Sequence, residues 1–163
     1  MTVIIGWFVT RLCARVAKGV MIQHRGKVNR NGIVRLNQGG GIDETFNPGG
    51  GADNPIQDVI IQDDGKIIIA GDFTSFNGVA INRIARINND GRIDETFNVG
   101  SAANFGIHDV CLTMDGGIVL VGDFNTFNGS ACMGIVVLQQ SGETIVALGK
   151  VVDGQGVAYS GKL

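Results

Sequence analysis

Short β-branched runs alternate with glycine-bearing turns along most of this chain. Val59-Ile60-Ile61 stops at Asp63-Asp64-Gly65, and the run 66–70 stops at Gly71. Ile84-Ala85-Arg86-Ile87 stops at Asp90-Gly91, and residues 93–97 read as a short fourth strand. An Asp-Gly pair between two such runs predicts a hairpin whose two central residues both take positive φ. Asn77-Gly78 is a second turn signal of the same kind. Strands this short, with turns every roughly 8–15 residues, predict an all-β fold. Helical spacing occurs only in residues 10–27, at Leu12, Val16 and Val20. A short helix and an irregular arm both fit that segment. The expected core positions are Val59, Ile61, Ile67, Ile69, Phe73, Ile84, Ile87 and Phe97, with their equivalents in other copies.

Those equivalents exist because the pattern repeats. Gln57-Asp58-Val59 recurs as His108-Asp109-Val110, and Gly71-Asp72-Phe73 as Gly122-Asp123-Phe124. Phe76-Asn77-Gly78 recurs as Phe127-Asn128-Gly129, so the step is about 51 residues. It also runs backwards: residues 93–98 repeat residues 42–47 identically. The chain therefore divides into three parts of one continuous domain. Residues 1–56 hold a degenerate first copy with an inserted arm, 57–107 a complete copy, and 108–163 a copy that diverges after Leu138. Val3-Ile4-Ile5-Gly6-Trp7-Phe8 reads as a worn version of Ile68-Ile69-Ala70-Gly71-Asp72-Phe73. About 51 residues with three or four antiparallel strands is the size of one propeller blade. A blade exposes apolar faces until a neighbour covers them, and terminal copies are often atypical.

The string from Gln62 to Thr74, then Asn77-Gly78, then Asn82 to Asn88, Asp90-Gly91 and Asp94 to Asn98, resembles the bacterial delta-60 repeat. The likeness covers about residues 31–128 and fades towards both ends. It implies propeller-like blades, and a scaffold or binding role of the kind played by tandem arrays in large surface or secreted proteins. It brings no catalytic residues to carry over. The departure is in number: about three copies stand here, two of them imperfect. Closed propellers need roughly 4–8 blades. Association of several chains is the expected way to complete the set, since open strand edges and half-covered faces tend to pair.

Composition narrows the partners. Charged residues make up 17% and apolar ones 44%, so the chain folds, and its 26 glycines fit many tight turns. A formal charge of −2 offers no excess of cations for a phosphate backbone, so nucleic acid is not an expected partner. No apolar stretch reaches the roughly 20 residues of a membrane-spanning helix. Residues 3–9 are apolar, but Arg11 and Arg15 follow rather than precede them, which is not the order of a secretory signal. An extracellular or virion-surface location is expected without a recognised signal peptide. Cys13, Cys111 and Cys132 form neither a disulfide framework nor a zinc pattern, and Cys111 and Cys132 read as small core residues.

The candidate ligand or interface residues are Trp7, Asp72, Asp123, Arg35 and Arg86. Asp72 and Asp123 recur between Gly and Phe, where a ring of carboxylates competes with plain turn chemistry as an explanation. Arg35 and Arg86 recur inside strands, and each is expected to pair with a repeated acid of a neighbouring copy, Asp43 or Asp94. The third copy has Val137 and Ile145 at those positions, so both partners vanish together. Asn88, Asp90, Asp94 and Glu95 fail the calcium-loop pattern. The strings 39–41 and 49–51 lack the features of a phosphate loop and read as flexible connections. No nucleophile, zinc or Cys/His motif appears.

The expectation is a non-enzymatic structural or adhesive module with no cofactor or metal, assembling as a homo-oligomer on a particle or cell surface, with a phage virion component as one setting. Other surface or virion proteins and glycans are further expected partners. The alternatives are a carbohydrate-binding module using Trp7, Tyr159 or loop aspartates, and a metal-dependent propeller-type hydrolase.

Overall fold

A computed structural model describes residues 20–21, 32–37, 39–147, 149–152 and 157–160, with side chains placed for 32–37 and 39–145. Trp7 and Cys13 lie outside them, as does the side chain of Tyr159. Every regular element among the described residues is a strand. In chain order they are β1 (Val20–Met21), β2 (Val34–Arg35), β3 (Ile56–Ile61), β4 (Ile67–Gly71), β5 (Ser75–Phe76), β6 (Val79–Ala80), β7 (Ile84–Ile87) and β8 (Ile107–Leu112). They continue as β9 (Ile118–Gly122), β10 (Thr126–Phe127), β11 (Ser130–Ala131), β12 (Ile135–Leu138), β13 (Thr144–Ala147), β14 (Gly149–Val152) and β15 (Val157–Ser160).

Two antiparallel blades carry the architecture. The first has the order β3-β4-β7, and the second β13-β12-β9-β8. Each sends out a small hairpin, β5-β6 or β10-β11, between its second and third strands. The registers repeat with the sequence: Ile68 faces Arg86 in the first blade as Val119 faces Val137 in the second. Of the 10–27 segment only Val20–Met21 is described, as a strand paired with Val34–Arg35. The rest of the possible helix or arm falls outside the described residues.

Alternation along each strand then builds two cores. In β4, Ile67 and Ile69 face the partial first copy, with Ile33, Phe46, Val59 and Phe73. Ile68 and Ala70 face the second blade, with Ile107, Val110, Ile118 and Leu120. The central blade is thus covered on both sides, which is why its second strand reads as a continuous apolar run. Ile61 alone among the expected core positions of the complete copy is only half-buried. Cys132 is buried and Cys111 half-buried, and both are free thiols.

The turns differ from the simple expectation. At Asp63-Asp64-Gly65 only the glycine has positive φ, 85°. Gly65 N–H donates to the Gln62 carbonyl at 2.9 Å and Gln62 N–H to the Lys66 carbonyl at 2.8 Å, enclosing three residues rather than two. This is the three-residue hairpin loop that ends in a left-handed glycine. The same pair of hydrogen bonds recurs at Asn37, Asn88, Thr113 and Gln139, so these turns share one loop design. Asn77-Gly78 and Asn128-Gly129, with φ positive at both residues of each pair, are the true two-residue turns. Gly39 and Gly40 belong to one of the three-residue loops, which Gly41 closes by accepting the Asn37 N–H at its carbonyl. Gly50 and Gly51 are pinned to Asn77 and Gly49 N–H donates to the Asn47 side chain, so neither string is a loose connection.

The short fourth strand at 93–97 does not form. Only Ile93 bridges to Ile87, and the chain then turns, with Phe97 N–H donating to the Asp94 carbonyl. The Asp94 carboxylate captures the Thr96 N–H at 3.0 Å and its hydroxyl at 2.6 Å. In the second blade Ile145 stands in place of Asp94, no carboxylate diverts the backbone, and β13 pairs with β12.

Candidate functional site

The repeated polar residues gather at the joints between blades. Arg86 Nε lies 2.8 Å from Asp94, and its Nη2 donates to Thr96 Oγ1 at 3.2 Å. Its guanidinium sits 4.7 Å from the centre of the Phe97 ring, and Nη1 donates to the Gln140 carbonyl of the second blade. Arg35 repeats the arrangement one step earlier. Its Nε is 2.8 Å from Asp43, its guanidinium lies 5.1 Å from the Phe46 ring, and Nη1 reaches the Asn89 carbonyl at 2.7 Å. The acid that each arginine meets is therefore that of its own copy. The link to the next copy runs through a backbone carbonyl, which a planar, always-charged fork reaches while holding its acid.

Backbone bonds reinforce each joint. Asn47 N–H donates to the Asp90 carbonyl, and Asn98 N–H to the Ser141 carbonyl. Gly91, at φ 92°, packs so closely here that an added Cβ would lie 2.7 Å from the Asn47 carbonyl carbon. Sequence reading found Arg35 and Arg86 but missed Asp53 and Asn104. Asp53 caps the small hairpin by accepting from Thr74 N–H at 2.8 Å, Ser75 N–H at 2.9 Å and Thr74 Oγ1 at 2.6 Å. Asn104, one repeat step later, accepts from the equivalent N–H groups of Asn125 and Thr126. The step of 51 between an Asp and an Asn was the signal for this pair.

Electrostatics follow this geometry. Burial works against the charge of Asp94, but Thr96, Lys66 at 2.9 Å and Arg86 outweigh it and hold the carboxyl far below its usual range. Burial likewise opposes ionisation of Asp53, yet its three donors bring it down to about 2. Asp58 goes the other way. Burial first, and the Asp109 carboxyl beside it second, push it up to about 6, although it accepts from the N–H groups of Val59 and Val110.

Asp72 and Asp123 do not form a ring with these groups. Asp72 accepts from Gln57 Nε2 at 2.7 Å, and Asp123 lies 2.8 Å from His108 Nε2 with both side chains largely exposed. Each thus pairs across its own hairpin. Among the described residues no three His, Cys, Asp or Glu side chains gather as a metal site, and no helix is long and apolar enough to cross a membrane. An open depression of about 490 Å³ lies beside Asn98, Phe127, Asn128 and Glu143.

No curated protein and no solved structure shows significant similarity to the chain. Residues 62–97, which run from the first turn of the central blade to the phenylalanine under Arg86, match a family described as a domain of unknown function (DUF5122), beta-propeller, and the repeat is of that propeller-like kind.

Proposed function

We propose that this chain is a non-enzymatic structural or adhesive module that associates with further copies of itself on a particle or cell surface. The observation that carries this reading is the use to which the repeated polar residues are put. Arg35, Arg86, Asp43, Asp94, Asn47 and Asn98 are engaged in holding blades together or in shaping the turns that do so. Their bonding capacity goes into the joints. The placement on a surface rests on the likeness to tandem repeats of surface and secreted proteins. Light scattering on a sizing column tests the reading. A discrete oligomer is expected. A stable monomer that binds a sugar saturably, and loses that binding in Trp7→Ala, would replace it with the carbohydrate-binding reading. A stoichiometric divalent ion by elemental analysis would favour the hydrolase.

A further inference from the structure

The two blades present the same face to different surroundings. In the first blade this face is two cross-strand rows, Asp58–Ala70–Ile84 and Ile60–Ile68–Arg86. Strand β8 of the second blade lies against it, and Ile68, Ala70 and Ile84 are wholly buried. Asp58 reaches across to accept the Val110 N–H at 3.0 Å. In the second blade the matching rows are Asp109–Val121–Ile135 and Cys111–Val119–Val137. Val121 is 41% exposed and Ile135 36% exposed.

The chain itself shows what fits such a face, because a blade of this repeat covers its equivalent. We propose that the outer face of the second blade is seated by a second copy of the chain, in head-to-tail contact. Within the chain this face meets the leading side of the next blade and not another outer face, so only a head-to-tail contact reproduces the packing. Two chains hold at least four blades, which enters the range of about 4–8 in closed propellers. The substitutions in the second blade suit an apolar contact rather than an arginine joint. Val137 and Ile145 replace the Arg–Asp pair that ties one in-chain blade to the next, leaving an apolar surface whose burial drives association.

This inference rests on the self-association reading, and one experiment separates the two. Native mass is measured for the wild type, Val121→Asp, Ile135→Lys and the off-face control Met114→Asp, Met114 being fully exposed. Circular dichroism confirms that each is folded. The expected result is an oligomeric wild type and control, with both face variants folded and at the mass of a single chain. Cys111 supplies a second readout on the same face: its labelling by a maleimide, located by mass spectrometry, should slow as wild-type concentration rises and not in Val121→Asp. Folded face variants that stay oligomeric, with Cys111 labelling independent of concentration, overturn the assignment of this face and leave self-association standing. A monomeric wild type overturns both.

Discussion

The central blade and the one after it share a backbone but not a setting. In the central blade a buried Arg–Asp pair ends the sheet at three strands and reaches onward to its neighbour. In the next blade both members are apolar, the sheet gains a fourth strand, and its outer face opens to solvent. One pair of positions thus differs between the covered blade and the open one. The sharpest way to break this comparison is to truncate the same residue in both blades. Ile84 is wholly buried and Ile135 is 36% exposed at the equivalent position. Ile84→Ala should cost about 3 kcal/mol, through lost transfer energy and the cavity left behind. Ile135→Ala, measured in the monomeric Val121→Asp background, should cost under about 1 kcal/mol. Equal losses in urea denaturation would mean that the outer face is covered after all.

The joint itself comes next in size. Arg86→Ala leaves Asp94, which is 5% exposed, with Lys66 as its remaining cation. A loss of about 2 kcal/mol is expected, below the 3–5 typical of a buried charge left with no partner. Arg35→Ala should lose less, because its pair is more open to water. If the two variants denature at the same midpoint as the wild type, the arginine joint is not a source of stability.

Much of this was legible in the sequence, and the misses share a cause. The repeat, the strands and the arginine positions could be read because a period of 51 residues points to the same structural role in each copy. The period could not say which acid an arginine meets, since Asp43 and Asp94 repeat just as Arg35 and Arg86 do. Pairing depended on an eight-residue loop geometry and not on the repeat. Residues 93–97 read as a strand because propensity favours one there. The Asp94 carboxylate overrode it by offering the backbone a better bond. Ile68 and Ala70 escaped the expected core list because alternation marks one buried face, while a stacked blade has two.

The carboxyl pair shared between the blades gives a smaller, pH-dependent effect. Asp58 has a folded pKa of about 6 against 3.8 for a free aspartate, so folding takes up a proton between those values. Its contribution is full below about pH 4 and declines as pH rises through 6. Asp94 and Asp53 have the opposite sign: their contributions are present above about pH 4 and fade only in stronger acid. Between pH 4 and 7 the slope therefore belongs to Asp58, and stability should fall by about 1–2 kcal/mol over that interval. Asp58→Asn should flatten it. A slope that survives the substitution would place the titrating group elsewhere.

The smallest expected effect is also the most direct test of what the two blades teach. Arg86→Val with Asp94→Ile writes the second blade's residues into the first. Removing both charges together leaves no buried ion unpaired, and replacing such a pair by apolar residues of similar size is often neutral. The double variant should therefore unfold within about 1 kcal/mol of the wild type, against about 2 for Arg86→Ala alone. The lost bond to the Gln140 carbonyl works against it, and the added apolar burial works for it. With Asp94 no longer holding the Thr96 N–H, residues 93–96 are free to pair along β7 as β13 pairs along β12. Hydrogen exchange should then show new protection in that segment. A double variant as unstable as Arg86→Ala, with no new protection, would mean that the fourth strand of the second blade depends on neighbours other than these two positions.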